Sequence, residues 1–316
     1  MKVTLVATVL NAAEQVGEFL ASVRAQTRRP DEVIVVDGGS TDGTLELLRA
    51  ADRITVISEP GANIARGRNV AIAHAAHDVI AVADADCTYG PDWLAELLRP
   101  IEAGADVAMG TTEPIADSVF AACVASLNLP LDPADVDETT FAPSARSIAF
   151  HRDAIDGVGG YPEWLDIGED AWVGIRWRER GTAMRLAPAA IARWRPRATL
   201  GATWVQYFRY ARGDAHAGMH PERHALRFGV YGALAGAVAS RRRWPKLLAV
   251  AGGVAYVRRP LMRSWARLQA PRDRAIAAVA VPFLLAWIDA AKMAGYASGL
   301  TDLLRGTAGP IGPQDP

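Results

Sequence analysis

The chain has 316 residues, 50% of them apolar and 22% charged, enough to bury one sizeable core and too hydrophobic to stay disordered. Its net charge of -1 conceals a division: from Arg176 to Arg274 there are 21 Lys and Arg against four acids, so that stretch carries about +17 and the rest about -18. An acidic part suits cations and a basic part suits phosphates or an anionic membrane, while Cys87 and Cys123 alone give no disulfide framework and fit a reducing cytoplasm.

In chain order, Val3 to Val9 reads as a strand, without the layout of a signal peptide, and Val16, Phe19, Leu20 and Val23 follow at helix spacing. Glu32 to Val36 is a second buried strand that ends in Asp37-Gly38-Gly39-Ser40, followed by a helix around Leu45, Leu47 and Leu48. Ile54 to Ile57 predicts a third strand and Asn63 to Ala76 a helix. Val79 to Ala83 predicts a fourth strand running into Asp84. This alternation predicts a doubly wound, mostly parallel α/β sheet with helices on both faces. Beyond residue 105 the pattern is irregular, with a strand near Ser147 to Phe150, a Gly159-Gly160-Tyr161-Pro162 turn and a helix from Glu169 to Arg180.

The C-terminal third is different in kind. Leu226 to Ala239, Leu247 to Val257 and Ala275 to Ile288 are apolar runs shorter than the roughly 20 residues a bilayer span needs. Arg241-Arg242-Arg243-Trp244 and Arg258-Arg259 separate them, a pattern that predicts helices lying at a membrane interface with few or no full spans. An ordinary helical subdomain is the alternative. The resulting division is 1–215 for the α/β domain (halves 1–105 and 106–215), 216–305 for the helical region and a frayed tail from 306.

Ligands of open parallel sheets gather at the carboxyl ends of strands, where Asp37, Asp84 and Asp86 are expected to converge. Paired carboxylates at an open site suit Mg²⁺ or Mn²⁺, which bridge to substrate phosphates. A D-x-D tripeptide alone is a common turn, and its place after a buried strand gives it weight.

The segments Val35 to Thr44 (VVDGGSTDGT), Ala65-Arg66-Gly67-Arg68-Asn69, Asp84-Ala85-Asp86 and Gly159-Gly160-Tyr161-Pro162 with Gly168-Glu169-Asp170 resemble, in order, the signatures of family 2 glycosyltransferases. The resemblance covers roughly residues 1 to 215. It implies the GT-A fold and an inverting transfer of sugar from a nucleoside-diphosphate donor, a UDP- or GDP-sugar, to a lipid-linked or glycan acceptor. It further implies that Asp37 and Asp84, with Arg66, Arg68 and Asn69, serve the nucleotide side. Asp86 with Asp84 would serve an Mg²⁺ or Mn²⁺ ion, and Asp170 would be the general base with Glu169 shaping its field. Gln206-Tyr207-Phe208-Arg209-Tyr210 resembles the Gln-x-x-Arg-aromatic element of membrane-associated members, which implies diphosphate or acceptor contacts for Gln206, Arg209 and Tyr210. An amphipathic helix would present the same residues.

Two departures stand out: Gly38 replaces a second acid found in many relatives, and no His lies near Ala192-Arg193-Trp194. Arg195 or Arg197 would then help to neutralise the diphosphate. His216, His220 and His224 recur at four-residue spacing, but Pro221 interrupts them, so they read as surface residues rather than a metal stripe. Ser144, Arg146 and Glu163 are candidate sugar or acceptor contacts. A polyprenyl-phosphate sugar synthase and an Mg²⁺-dependent nucleotidyltransferase are the competing readings, although Thr8 to Ala13 contains no glycine-rich phosphate loop. The missing glycine fingerprint also excludes a dinucleotide oxidoreductase, and no nucleic-acid-binding motif accompanies the basic segment. The expected location is the cytoplasmic face of the cell membrane.

Overall fold

The computed structural model of the protein describes residues 1–131 and 136–307, so most of the predicted tail lies outside the described residues. The chain forms two compact units: Met1–Glu113 with the described part of Asp132–Arg195, and Pro114–Leu131 with the described part of Pro196–Asp315.

The first unit is built on an eight-stranded sheet. In chain order its elements are β1 (Val3–Val9), α1 (Val16–Arg24), β2 (Glu32–Asp37), α2 (Thr44–Arg49), β3 (Thr55–Ser58), α3 (Ile64–His74), β4 (Val79–Asp84), β5 (Cys87–Tyr89), α4 (Trp93–Glu102) and β6 (Val107–Pro114). The second unit's α5 (Val119–Asn128) intervenes, and then come β7 (Ser147–His151), α6 (Arg152–Asp156), α7 (Glu169–Glu179) and β8 (Met184–Trp194). The strand order is β3-β2-β1-β4-β7-β6-β8-β5. The first four strands are mutually parallel; β7 runs antiparallel to β4 and to β6, and β5 antiparallel to β8.

Side-chain alternation along the strands explains why both faces are covered. Val3, Leu5, Ala7 and Val9 of β1 pack with Phe19 of α1, Leu48 of α2 and Trp93, Leu94 and Leu97 of α4. Val6 points the other way, with Ile80 and Val82, into a cluster completed by Ile72 of α3, Ile155 of α6 and Val173 and Trp177 of α7. The α/β expectation holds, and the predicted strands and helices of the first hundred residues fall within a residue or two of the observed ones. The helix α3 lies so close to β1 that a Cβ on Gly67 would meet Thr8 Cγ2 at 2.8 Å.

The second unit is helical: α5, α8 (Leu200–His216), α9 (Pro221–Ala239), α10 (Arg243–Arg267) and α11 (Pro271–Leu304). The short apolar runs read from the sequence are parts of longer helices. Arg258-Arg259 lies inside α10, and α11 is a single helix of 34 residues that continues through Pro282 and beyond Ile288. That makes α11 long and apolar enough to cross a membrane, with a mean hydropathy of 1.7 over its best window, of which 39% is buried in the protein. Both arginines and prolines can continue a helix when its flanks pack, which the run lengths could not register.

The unit has a polar hub on α11. Asp289 is 4% exposed and accepts from Arg227 Nε at 2.8 Å, Tyr231 OH at 3.1 Å and Tyr256 OH at 2.8 Å, which ties α9 and α10 to α11. His224, expected on the surface, is buried instead: its Nε2 lies 2.9 Å from Asp214, and its ring stacks on Tyr296. Further along α11, Gly295 and Gly299 face α8, where a Cβ would meet Phe208 O at 2.1 Å and Arg212 O at 2.7 Å.

Candidate active site

The candidate site begins at the end of β2. Asp37 is fully buried, and its carboxylate accepts from the Gly39 N–H at 3.0 Å and the Ser40 N–H at 3.1 Å, so it shapes the loop that follows it. Gly38 N–H reaches back to Val9 O at 2.9 Å, which holds that loop beside the end of β1. Asp42 accepts from Thr44 N–H and Oγ1 and from Ala13 N–H, just ahead of α2.

Two strand positions away from β2, on the far side of β1, β4 delivers the Asp84-Ala85-Asp86 turn. Tyr89, buried beneath it, accepts from the Asp84 N–H at 3.0 Å and donates to Arg146 O at 2.9 Å. Asp84 is partly exposed and Asp86 exposed. Cys87 beside them is buried, and that burial pushes its thiol well above the ordinary range, which removes it as a nucleophile.

Arg68 connects this turn to the start of α7. It is 1% exposed, its Nη2 donates to Asp84 Oδ1 at 2.8 Å, and its Nη1 donates to Glu169 Oε1. The guanidinium also stands 5.3 Å from the centre of the Tyr161 ring. Burial works against its charge, but Glu169 and Asp84 outweigh burial and hold the group above its usual range. Burial pushes the Glu169 carboxyl up, with Arg68 pulling it back. Asp170, the next residue, is half-buried; its Oδ2 accepts from the Ala145 N–H at 3.2 Å and its Oδ1 from the Ala171 N–H at 2.8 Å. Both acids occupy the first turn of α7, where the helix dipole favours negative charge.

The other expected residues distribute as follows. Arg66 is exposed and pairs with Glu59 at 2.6 Å and Glu163 at 3.5 Å. Asn69 is clasped to the Gly159-Gly160-Tyr161-Pro162 turn. Arg146 lies over the Trp194 ring at 4.9 Å, and Arg195 is exposed, 3.9 Å from Glu18. Arg197, Gln206, Arg209 and Tyr210 belong to the second unit; there Gln206 Nε2 donates to Tyr210 OH at 3.0 Å and Arg209 is exposed. The supporting residue Tyr89 was not singled out from sequence, and Tyr161 only as part of its turn, since an aromatic in a turn carries no signal of what it sits beneath.

Among the described residues no group of three or more His, Cys, Asp or Glu is arranged to hold a metal ion by itself. Asp84 and Asp86 provide hard oxygen donors at an accessible turn, a set that suits a cation whose remaining ligands are substrate phosphates and water. Asp84, Glu169 and Asp170 face one guanidinium, so the cluster carries excess negative charge that such a cation would offset.

Residues 4–129 match the sequence profile of Glycosyl transferase family 2. The chain is 28% identical over 225 residues to the succinoglycan biosynthesis protein ExoA of Rhizobium meliloti, an alignment covering 67% of this chain and 68% of that one. It is 28% identical over 193 residues to the glycosyltransferase AglE of Haloferax volcanii, covering 57% of this chain and 61% of the relative. Among solved structures, it resembles a mannosyltransferase from Pyrobaculum calidifontis in complex with GDP-Man and Mn²⁺, with a TM-score of 0.58 at 20% identity over 95% of this chain and 87% of the other. That likeness establishes the GT-A architecture. Over residues 4–129 the chain is thus similar to family 2 glycosyltransferases, and its architecture is that of the GT-A fold.

Proposed function

We propose that the protein is an inverting, divalent-cation-dependent transferase that moves a sugar from a nucleoside diphosphate to a hydroxyl of a lipid-linked or polysaccharide acceptor. The observation that carries this reading is the meeting of the Asp84-Ala85-Asp86 turn and the Glu169-Asp170 helix start at one buried arginine. One end of such a site serves a leaving diphosphate and the other a nucleophile, and the sugar lies between them.

The loop that Asp37 shapes binds and orients the nucleoside, with Arg66 near its phosphates. Asp84 and Asp86 would hold the cation, which would offset the charge that develops on the leaving diphosphate. Asp170 takes the proton of the acceptor hydroxyl as attack proceeds. It is placed for this by its first-turn position and by the Ala145 and Ala171 amides that fix its rotamer. Glu169 is buried and engaged by Arg68, so it shapes the field rather than taking the proton. With a single base and no separate carboxylate nucleophile, the acceptor oxygen attacks the anomeric carbon in line as the nucleoside diphosphate departs from the opposite face, which inverts the anomeric centre. Metal-bearing relatives in the solved structures, including GalNAc-T7 with UDP, GalNAc and Mn²⁺, support the choice of Mg²⁺ or Mn²⁺.

The second unit supports a location at the cytoplasmic face of the cell membrane. Besides α11, the helices α9 and α10 expose Leu226, Val230, Val238, Leu247, Val250 and Val254, beside Arg241-Arg242-Arg243 and Trp244. Apolar helices bordered by Arg and Trp suit an anionic interface. The test of the whole reading is donor turnover: UDP- and GDP-sugars are screened with Mg²⁺ or Mn²⁺ against lipid-linked acceptors. No cation-dependent product from any donor would refute it. Failure to float with anionic vesicles at low salt would remove the membrane location alone.

A further inference from the structure

We propose that Arg68 is a positioning residue, a strut that fixes the donor turn and the base helix to each other. This rests on the transferase reading above and assigns a role within it that sequence comparison does not.

Two independent facts hold Arg68 in place. Its helix α3 is capped at Asn63, whose side chain accepts from the Arg66 N–H, and is pressed against β1 at Gly67, so the backbone at 68 has one available height below the strand ends. Its side chain then spends both terminal nitrogens on carboxylates 16 and 101 residues away in sequence. The Nε is buried without a hydrogen-bond partner. A side chain free to choose its own rotamer would satisfy that nitrogen, so the orientation is set by Asp84 and Glu169 together. Lying 1% exposed, Arg68 has no surface with which to touch a nucleotide. It acts through the two acids.

Two consequences follow from the chemistry. Arg68 occupies Asp84 Oδ1, so the carboxylate is turned to offer its other oxygen to a cation, and the pair limits how Asp84 can bind. At its other end Arg68 keeps Glu169 from repelling Asp84, so the first turn of α7, and Asp170 with it, stays close to the turn before any donor arrives. Lysine has the charge but not the planar two-armed fork, so it cannot hold both carboxylates in this geometry.

The test uses the full-length protein and isothermal titration of UDP and GDP at a series of Mn²⁺ concentrations, alongside steady-state kinetics. Arg68→Lys keeps the field and removes the bridge; it is expected to raise the Mn²⁺ concentration needed for half-maximal nucleotide binding about tenfold and to lower kcat further. Glu169→Gln covers the case in which Arg68→Lys does not fold. It leaves Arg68 with Asp84 alone, and is expected to weaken Mn²⁺ about threefold or more although Glu169 is not a cation ligand. Glu179→Gln removes the same charge at the far end of α7 and is expected to change nothing. In the double variant, Arg68→Lys adds less than twofold to the kcat loss of Glu169→Gln. A folded Arg68→Lys with unaltered Mn²⁺ dependence, additive losses in the double variant, or equal effects of Glu169→Gln and Glu179→Gln each overturn the strut. Wild-type protein that binds neither nucleotide with Mn²⁺ overturns the transferase reading itself.

Discussion

Asn69 and Tyr161 hold each other through paired hydrogen bonds: Asn69 Nδ2 donates to Tyr161 O at 2.8 Å, and Asn69 Oδ1 accepts from the Tyr161 N–H at 2.9 Å. The amide thereby reads the backbone of a turn 92 residues away and sets it beneath Arg68. Asn69→Ala leaves the half-buried peptide group at 161 unpaired and is expected to destabilise the protein by about 1–3 kcal/mol, measured by urea unfolding. Asn69→Asp places a carboxylate against Tyr161 O and the Glu163 carboxylate, and is expected to cost at least as much at neutral pH.

Asp170→Asn is nearly isosteric and keeps an acceptor oxygen for the Ala145 N–H, but cannot take a proton. Its kcat is expected to fall by about 10²–10⁴-fold while donor binding changes little. Single-turnover assays with nucleotide titration separate the two effects, and an unchanged kcat would point to an acceptor that is already an anion.

Removal of divalent cations with EDTA is expected to abolish transfer, with full recovery on adding Mg²⁺ or Mn²⁺. Asp86→Ala is expected to resist such recovery at ordinary cation concentrations. Its carboxylate is exposed, so its loss costs the fold little, and an unshifted melting temperature in the apo protein distinguishes lost binding from lost structure.

Asp31 gives a pH dependence remote from the site. Arg28 donates to its Oδ2 at 2.6 Å and the Val3 N–H at 2.9 Å, and Arg28 chiefly holds the carboxyl below its ordinary value. A carboxyl depressed in the folded state stabilises the protein above its unfolded pKa, and that contribution is lost as pH falls through the folded value. Asp31→Asn is therefore expected to lower the melting temperature above about pH 5, with the gap closing below about pH 3. A gap that persists in acid would assign the effect to shape rather than charge.

The strands and the turns at their ends were legible because each buried strand is a run of apolar residues that stops at a charged one, as β2 stops at Asp37 and β4 at Asp84. What the runs do not encode is pairing across the chain. Nothing in the α3 pattern tells that Arg68 faces inward, because its partners Asp84 and Glu169 come from other elements. For the same reason His224 looked like a surface residue: an imidazole among Arg and Glu reads as solvated until Asp214 and Tyr296 are seen to enclose it. In the second unit, the charged and proline interruptions hid helix continuity. Arg258 and Arg259 project outward from an unbroken α10, and α11 absorbs Pro282.

The glycines of α11 act as a gauge for the helix beside them. Where Gly295 meets the Phe208 carbonyl and Gly299 meets Arg212 and Ala215, the two backbones touch, and any other residue would hold them apart. A sliding of α8 by one turn would travel about 5.4 Å and drive side chains into that groove. The heights of Gln206, Arg209 and Tyr210 along α8 are thus measured off by notches cut in α11. One residue inserted between Ile288 and Gly295 would rotate those notches by about 100° and erase the measure.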